Sequence, residues 1–379
     1  MAEFLPEHQD FFNKLINDDK SDDEFEGFLP SDIANDGSNR ESDILMNQSK
    51  LKLVIFGKTE INLVFGSVYM PNRHLSLDEG MVPWRGHLAF RVYNPDKPKK
   101  YGIKAYMICD GETGYCTKFK LYTGKSNTPV SQHGATYDLV MDMMRGYFGQ
   151  GYILYMDNYY SSPKLYKDLF SLGCGATGTL RANRKGVPQK ILNTKVSKGE
   201  QFTMNNGTLL ITVPNTGHDR KVVHLISTIE QAEMTPTGRN IPGTNTPIVV
   251  PSIVREYNRF MGGVDRSDQM VSYSTFNART LKWWKRVTFH VISLAVLNAY
   301  LLYKTVTTGN PMLHRVFRKR LVADLINSVQ GHVVPSKSVG RPSTSDDSLF
   351  RLMGQHFPIK ITATSCWGKK EENWKRIQL

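Results

Sequence analysis

Three aspartates carry the chemistry this sequence is able to do. Asp110 ends the apolar run Tyr101–Asp110, and Asp157 ends the shorter run Tyr152–Met156. A carboxylate at a strand end projects from the edge of a sheet. Asp265 and Asp268 lie three residues apart in a helix-like stretch, so they share one helix face. Its apolar stripe is Tyr257, Phe260, Met261 and Val264. Carboxylates are hard oxygen ligands and suit Mg²⁺. Two such ions about 4 Å apart activate a nucleophile and stabilise the leaving oxygen of a phosphodiester. The expected ligands are Asp110, Asp157 and Asp265. The bland alternative makes each a turn residue or an ion-pair partner. Any one of them without context is better explained that way.

Around these acids the sequence places Arg181, Arg184, Lys185, Arg259, Arg266, Arg279, Lys282, Lys285 and Arg286, interleaved with Tyr159, Tyr160, Trp283 and Trp284. Cations with stacking aromatics hold a distorted or single-stranded DNA end. The expected DNA-contacting set is those nine basic residues together with Trp283. A core position for one of the two tryptophans is the plainer reading. The run Arg315-Val316-Phe317-Arg318-Lys319-Arg320 reads as a nuclear import signal, a phosphate-contacting face or a solvated helix face. Gly173-Cys174-Gly175-Ala176-Thr177-Gly178 matches G-x-G-x-x-G, but it follows a helix and leads into an extended segment, the wrong context for a dinucleotide.

The elements that must position these residues follow an order of β-β-α-β-α. Leu88–Tyr93 alternates like a strand, Tyr101–Asp110 and Tyr115–Tyr122 form a hairpin about Asp110–Gly114, and Ala135–Phe148 has helical spacing. Tyr152–Met156 is a short buried strand, and Ser162-Pro163 opens a helix that Gly173 closes. Residues 183–250 hold short strands among Gly, Asn and Pro turns and read as an inserted β-rich domain. Helices are expected at Ser252–Ser272, Leu281–Tyr303 and Arg315–Val329. Gly262-Gly263 costs the first of these about 1 kcal/mol per residue relative to Ala, which suggests that another backbone or a substrate approaches closely there. Residues 51–75 are ambiguous, and 334–379 read as a linker and tail.

Charge is distributed unevenly. The whole chain carries +13, yet residues 1–45 contain thirteen acids against three bases, leaving +23 on the remainder. A basic body behind an acidic tail suits a polyanion, because each neutralised phosphate releases counterions. The tail, residues 1–50, lacks the apolar content to offset its ordering entropy and is expected to be disordered. Four scattered cysteines give no C-x-x-C pair and no disulfide framework, which fits a reducing compartment. The N-terminus lacks a signal-peptide pattern. Val287–Tyr303 is apolar but short of the roughly 20 residues a span needs, so a core helix is expected and a membrane is not.

Several segments together resemble the piggyBac-type transposases. They are Leu75-Ser76-Leu77-Asp78-Glu79-Gly80-Met81-Val82-Pro83, Lys100–Lys104 leading to Cys109-Asp110, and Tyr155-Met156-Asp157-Asn158-Tyr159-Tyr160-Ser161-Ser162. Tyr257–Met270 and the Trp283-Trp284 helix complete the set, as does Phe25-Glu26-Gly27-Phe28 in the acidic tail. The resemblance covers residues 70–330. It implies an α/β, RNase H-like catalytic domain (75–182 and 251–272) interrupted by the insertion at 183–250. A helical dimerisation and DNA-binding segment would follow at 273–333. It makes Asp110, Asp157 and Asp265 a DDD triad supported by Asp268, working with two Mg²⁺ ions and no small-molecule substrate. The implied reaction is hydrolytic nicking at transposon ends, hairpin formation by the freed 3′-OH, and joining at TTAA sites. The implied partners are double-stranded DNA and a second copy of the chain, in the nucleus. Against the family pattern, the dimerisation region before Leu75 and a C-terminal Cys/His-rich module are expected to be missing, with 51–74 a remnant. The competing readings are a non-catalytic DNA-binding protein on the same fold and a nuclease without strand transfer.

Overall fold

The computed structural model describes residues 60–95, 100–124, 129–197, 200–215, 222–231, 233–240, 245, 247–273, 280–330, 359–360 and 374–375. The acidic tail, Arg279 and Cys366 lie outside these residues. The chain falls into two compact units, Met1–Arg315 and Val316–Leu379.

In the first unit a helix over 60–68 (α1) occupies part of the stretch whose sequence was ambiguous. It precedes β1 (His74–Pro83), β2 (Val92–Tyr93), β3 (Tyr101–Asp110) and β4 (Cys116–Leu121). Then come α2 (Ala135–Met144), β5 (Ile153–Met156), α3 (Pro163–Ser171) and β6 (Gly175–Leu180). A short α4 (Gln189–Asn193) leads to β7 (Gln201–Asn205), β8 (Leu210–Pro214) and β9 (His224–Ser227). After β10 (Met234–Asn240) and β11 (Pro247–Pro251) the chain turns helical in α5 (Ser252–Phe260), α6 (Gly263–Ser272) and α7 (Trp283–Val306). α8 (His314–Gln330) runs across the boundary between the units, and the second unit also contains the antiparallel pair β12 (Ile359–Lys360) and β13 (Trp374–Lys375).

Nine strands make one mixed sheet in the order β2-β3-β1-β5-β6-β9-β8-β7, with β4 also paired to β3. Its centre, β1-β5-β6, is parallel, and every other pairing is antiparallel. β5 is buried at every position, as an unbroken apolar run demands of a central parallel strand. Within the 183–250 stretch, strands β7–β9 continue the main sheet through β6–β9 pairing, while β10 pairs with β11 in a two-stranded sheet.

The sheet has two covered faces. Leu75, Leu77, Ile108, Leu154 and Met156 pack in one core with Val140, Met143, Leu165 and Leu169 of α2 and α3. Fully burying one such side chain stabilises the fold by about 1.5–3 kcal/mol. α3 starts where expected, with the Ser162 hydroxyl accepting from the Leu165 N–H and Pro163 at the first turn. On the other face Ile153 and Tyr155 pack against Phe260, Tyr257 and Met261. The expected continuous helix over 252–272 is instead two, broken at Met261-Gly262. A Cβ on Gly263 would collide with Ser76 Oγ and meet the Asp110 carbonyl oxygen at 2.8 Å, which is the close backbone approach the glycines suggested. α7 is long and apolar enough to cross a membrane by composition. Here Leu294, Leu297 and Leu301 are buried, and the Asn298 amide bonds both backbone groups of Cys116.

A candidate catalytic site of carboxylates on one sheet face

The register of β1 and β5 puts two acids side by side. These strands run parallel with Leu77 opposite Met156, and the next residue on each is an aspartate, Asp78 and Asp157. Adjacent strands lie about 4.8 Å apart. Side chains alternate along a strand, so Asp78 shares its face with Ser76 and Gly80, while Asp157 continues the face of Ile153 and Tyr155. This is the face covered by α5 and α6. The Val264 N–H donates to Ser76 Oγ (3.2 Å) and the Met81 N–H donates to Asp268 Oδ2 (3.3 Å), which pins α6 across β1. Asp265 is exposed on the same helix. Burial, opposed by a hydrogen bond with Thr179, pushes the Tyr257 hydroxyl up to about 12, and the charges of Asp157, Asp78 and Asp265 add to the rise. One phenol on α5 thus senses all three carboxylates. Among the described residues, no three His, Cys, Asp or Glu side chains are close enough to share one ion.

Asp110 stands elsewhere. It pairs with Leu75, so the pleat turns it toward the opposite face from Asp78, at the other end of β1. Three residues of strand separate Leu75 from Asp78, about 10 Å. The Asp110 carboxylate is fully buried, and its lone pairs are taken up. Oδ1 accepts from the N–H groups of Glu112 (2.8 Å) and Thr113 (3.0 Å), and Oδ2 from Asn72 N–H (2.8 Å) and Tyr69 hydroxyl (2.9 Å). Such a group organises a turn. Asp110, expected as a metal ligand with Asp157 and Asp265, faces away from Asp157, and the acid that the register seats beside Asp157 is Asp78. Sequence reasoning passed over Asp78 because it stands inside Leu75–Pro83 and not at the end of an apolar run. The available signal was the alternation of Leu75 and Leu77, which puts Asp78 out of phase with the core.

The basic residues separate into groups. Arg181 Nε donates to Asn158 Oδ1 (2.9 Å), and Arg184 Nη2 donates to the carbonyls of Asn158 (3.1 Å) and Tyr159 (2.5 Å), so both brace the loop after Asp157. Lys185 is exposed beside them. Arg266 Nη1 instead donates to the carbonyls of Gly111 (3.2 Å) and Glu112 in the Asp110 turn. Arg259 lies over the Phe260 ring, which also stacks on the His74 ring at the start of β1, away from Asp78. Lys282, Lys285 and Arg286 are half-buried around the first turn of α7. Trp283 is only 7 % exposed and meets Phe90 edge-on, and Trp284 is equally buried; neither indole is open to stack on a base.

Electrostatics single out Asp157. Burial raises its carboxyl above the ordinary value and the Glu79 charge raises it further, against the Tyr159 N–H that donates to Oδ1 (2.9 Å). Burial also pushes Glu79 up, but Lys104 Nζ at 2.7 Å and the Tyr160 hydroxyl outweigh it and hold Glu79 low. A carboxylate kept costly to ionise beside a second acid is relieved by a cation, and an all-oxygen donor set fits a hard divalent ion. The G-x-G-x-x-G stretch forms the turn after α3 and the start of β6, where a Cβ on Gly178 would collide with the Met156 carbonyl.

A family model described as transposase IS4 matches residues 38–300, most of the chain. The chain belongs to this transposase family. It is similar to the human PiggyBac transposable element-derived protein 3, 26% identical over 360 residues that cover 89% of this chain and 57% of that protein. The human PiggyBac transposable element-derived protein 2 is 25% identical over 312 residues, 77% of this chain and 50% of that one. This transposase-family chain therefore spans about half the length of the curated relatives it matches. Its structure is similar to that of the piggyBac transposase in a cryo-EM synaptic complex with hairpin DNA. The TM-score is 0.61 at 24% identity, covering 85% of this chain and 70% of that one. The mixed sheet with helices on both faces is the α/β, RNase H-like fold that the motifs implied.

Proposed function

We propose that this chain is a piggyBac-like DNA transposase that cuts and rejoins DNA strands with Mg²⁺, and that Asp78, Asp157 and Asp265 are its catalytic carboxylates with Asp268 in support. The observation that carries this reading is the placement of Asp78 in β1 beside Asp157, which directly follows the parallel strand β5, on the face covered by the helix that bears Asp265. These acids would hold two Mg²⁺ ions, which when bound lower the barrier to attack on a phosphodiester. The chain's own contribution is to fix the donors. β1 and β5 set the spacing of Asp78 and Asp157, Ser76 anchors α6, and Arg181 and Arg184 hold the loop that follows Asp157. In the proposed reaction, water attacks a phosphodiester at the transposon end and leaves a 3′-OH. That hydroxyl then attacks the opposite strand, expelling the 3′-oxygen of the scissile bond and closing a hairpin. Joining at TTAA is the same transesterification on new DNA. Nuclear location, double-stranded DNA as partner and pairing with a second copy belong to this reading.

The purified protein is incubated with Mg²⁺ and end-labelled DNA carrying a TTAA-flanked transposon end. Cleavage is expected, and Asp78→Asn or Asp157→Asn should reduce it at least a hundredfold while salt-sensitive DNA binding survives. Binding without Mg²⁺- or Mn²⁺-dependent cleavage by the unaltered protein would make it a non-catalytic DNA-binding protein. Cleavage without joined products would make it a nuclease.

A further inference from the structure

A second feature sits across the sheet edge from the carboxylates. A cleft of about 570 Å³ opens between the N-terminal ends of α2 and α3, the 184–188 loop and the β7–β8 hairpin. Its rim carries Lys164, Lys167, Arg184 and Lys185, and no carboxylate lines it. Asp168, just outside, holds Lys164 Nζ and the Tyr137 hydroxyl, each at 2.7 Å, so Lys167, Arg184 and Lys185 remain as rim cations. Arg184 Nε is buried and has no acceptor among the described residues. The floor is of a different character: Tyr137 together with Met204, Leu209 and Ile211. A ring and apolar side chains beneath a rim of cations fit an unpaired nucleotide, whose base stacks while its phosphate meets the rim. A paired duplex has no base free to enter, and a simple anion has no use for the floor.

Position links the cleft to the candidate site. Leu209 and Ile211 belong to the core under α2 and α3, so the cleft lies on the sheet face opposite Asp78 and Asp157. Arg184 lines it and also grips the loop that follows Asp157. A strand crossing the sheet edge at the end of β5 would reach both. We propose that this cleft holds an unpaired nucleotide of the DNA strand next to the one being cut. The proposal rests on the transposase reading for its choice of DNA, and its test is independent of cleavage.

Binding is measured by fluorescence anisotropy with the full chain, without metal, on a blunt duplex and on the same duplex with a short single-stranded 3′ overhang. The overhang should tighten binding about tenfold, in the range of one stacked base. Lys167→Gln, an exposed side chain on the cleft rim, should abolish that preference and leave blunt-duplex affinity within about twofold. The log–log salt slope on overhang DNA should fall by about 0.7, from one lost contact. Tyr137→Leu should lose the preference and Tyr137→Phe keep it. No preference in the unaltered protein, or equal losses on both DNAs, overturns the proposal. So does a peptide of residues 1–45 that binds as tightly as the overhang DNA and is lost in the same variant, which would assign the cleft to the chain's own acidic segment. Asp157→Asn should retain the overhang preference, so a protein that cuts nothing yet shows it refutes the catalytic reading alone.

Discussion

Replacing Asp110 and Asp78 separately by asparagine distinguishes a turn-organising acid from a reacting one. The Asp110 carboxylate accepts four hydrogen bonds, two on each oxygen, three of them from backbone N–H groups, inside a fully buried site. An amide has one acceptor oxygen. Whichever way it is turned, its NH₂ faces either Glu112 and Thr113 or Asn72 and Tyr69. The second orientation is milder, because the Tyr69 hydroxyl rotates to accept, yet the Asn72 N–H still loses its acceptor. A hydrogen bond to a charged group contributes about 1.5–3 kcal/mol, and a stranded buried donor adds about 1–3 kcal/mol. Asp110→Asn should therefore cost about 3–5 kcal/mol, a large share of the roughly 5–15 kcal/mol that holds a typical domain together. Urea denaturation measures this directly, and a fall in Tm of roughly 8–15 °C should accompany it. Asp78→Asn should be near neutral in stability, since it removes a charge beside Asp157, and should abolish Mg²⁺-dependent cleavage. If Asp110→Asn folds as stably as the parent and loses cleavage while Asp78→Asn keeps it, the face assignment drawn from strand register is wrong.

Three further outcomes follow from the same contacts. Gly263→Ala should destabilise by about 1–3 kcal/mol in urea denaturation, and adding Ser76→Ala should restore only part, because the Asp110 carbonyl still blocks the new Cβ. Lys104→Met leaves Glu79 buried without its cation and should cost about 3 kcal/mol, whereas the double change with Glu79→Gln should recover most of it. Asp157 has a raised pKa in the fold, so the unfolded chain ionises first as pH rises and the folded state is penalised from about the ordinary carboxylate pKa upward. Asp157→Asn should therefore raise Tm at pH 7, with the gain vanishing below about pH 4. Added Mg²⁺ should stabilise the parent and leave the variant unmoved; thermal scans across pH and metal check both.

Some of the fold was legible because single strands and helices announce themselves. The run Ile153–Met156, the Ser162-Pro163 helix start and the 283–306 helix each declare their type within a dozen residues. Membership in the sheet does not. Strands β7–β9 read as part of an inserted β-rich domain because their turns are rich in Gly and Asn; the pairing of β9 with β6 is a contact that no local pattern announces. The Gly262-Gly263 break was read as a close approach, and Gly263 does lie against Ser76; that it also splits the helix in two depends on β1, which the sequence hid.

Asp110 and Asp78 show why a site is harder to read than a fold. An acid at the end of an apolar run advertises itself, and Asp110 has that signature because a buried turn needs an acceptor for three N–H groups. Asp78 is embedded in Asp-Glu-Gly, a string of poor strand formers, yet it occupies the middle of a ten-residue strand at the centre of the sheet. Folding gains little from an aspartate there: the position flanks a second acid, and the neighbouring Glu79 has to be neutralised by Lys104. Local propensity and the global fold conflict in the middle of β1. Such a conflict persists where the side chains have work besides holding the fold. The strand least readable from its own residues is thus the one whose acid the geometry places beside Asp157. A Thr or Val substituted at Asp78 should make β1 a better strand and raise stability while removing cleavage. A drop in stability for both would mean that Asp78 is there to hold α6, with no part in the chemistry.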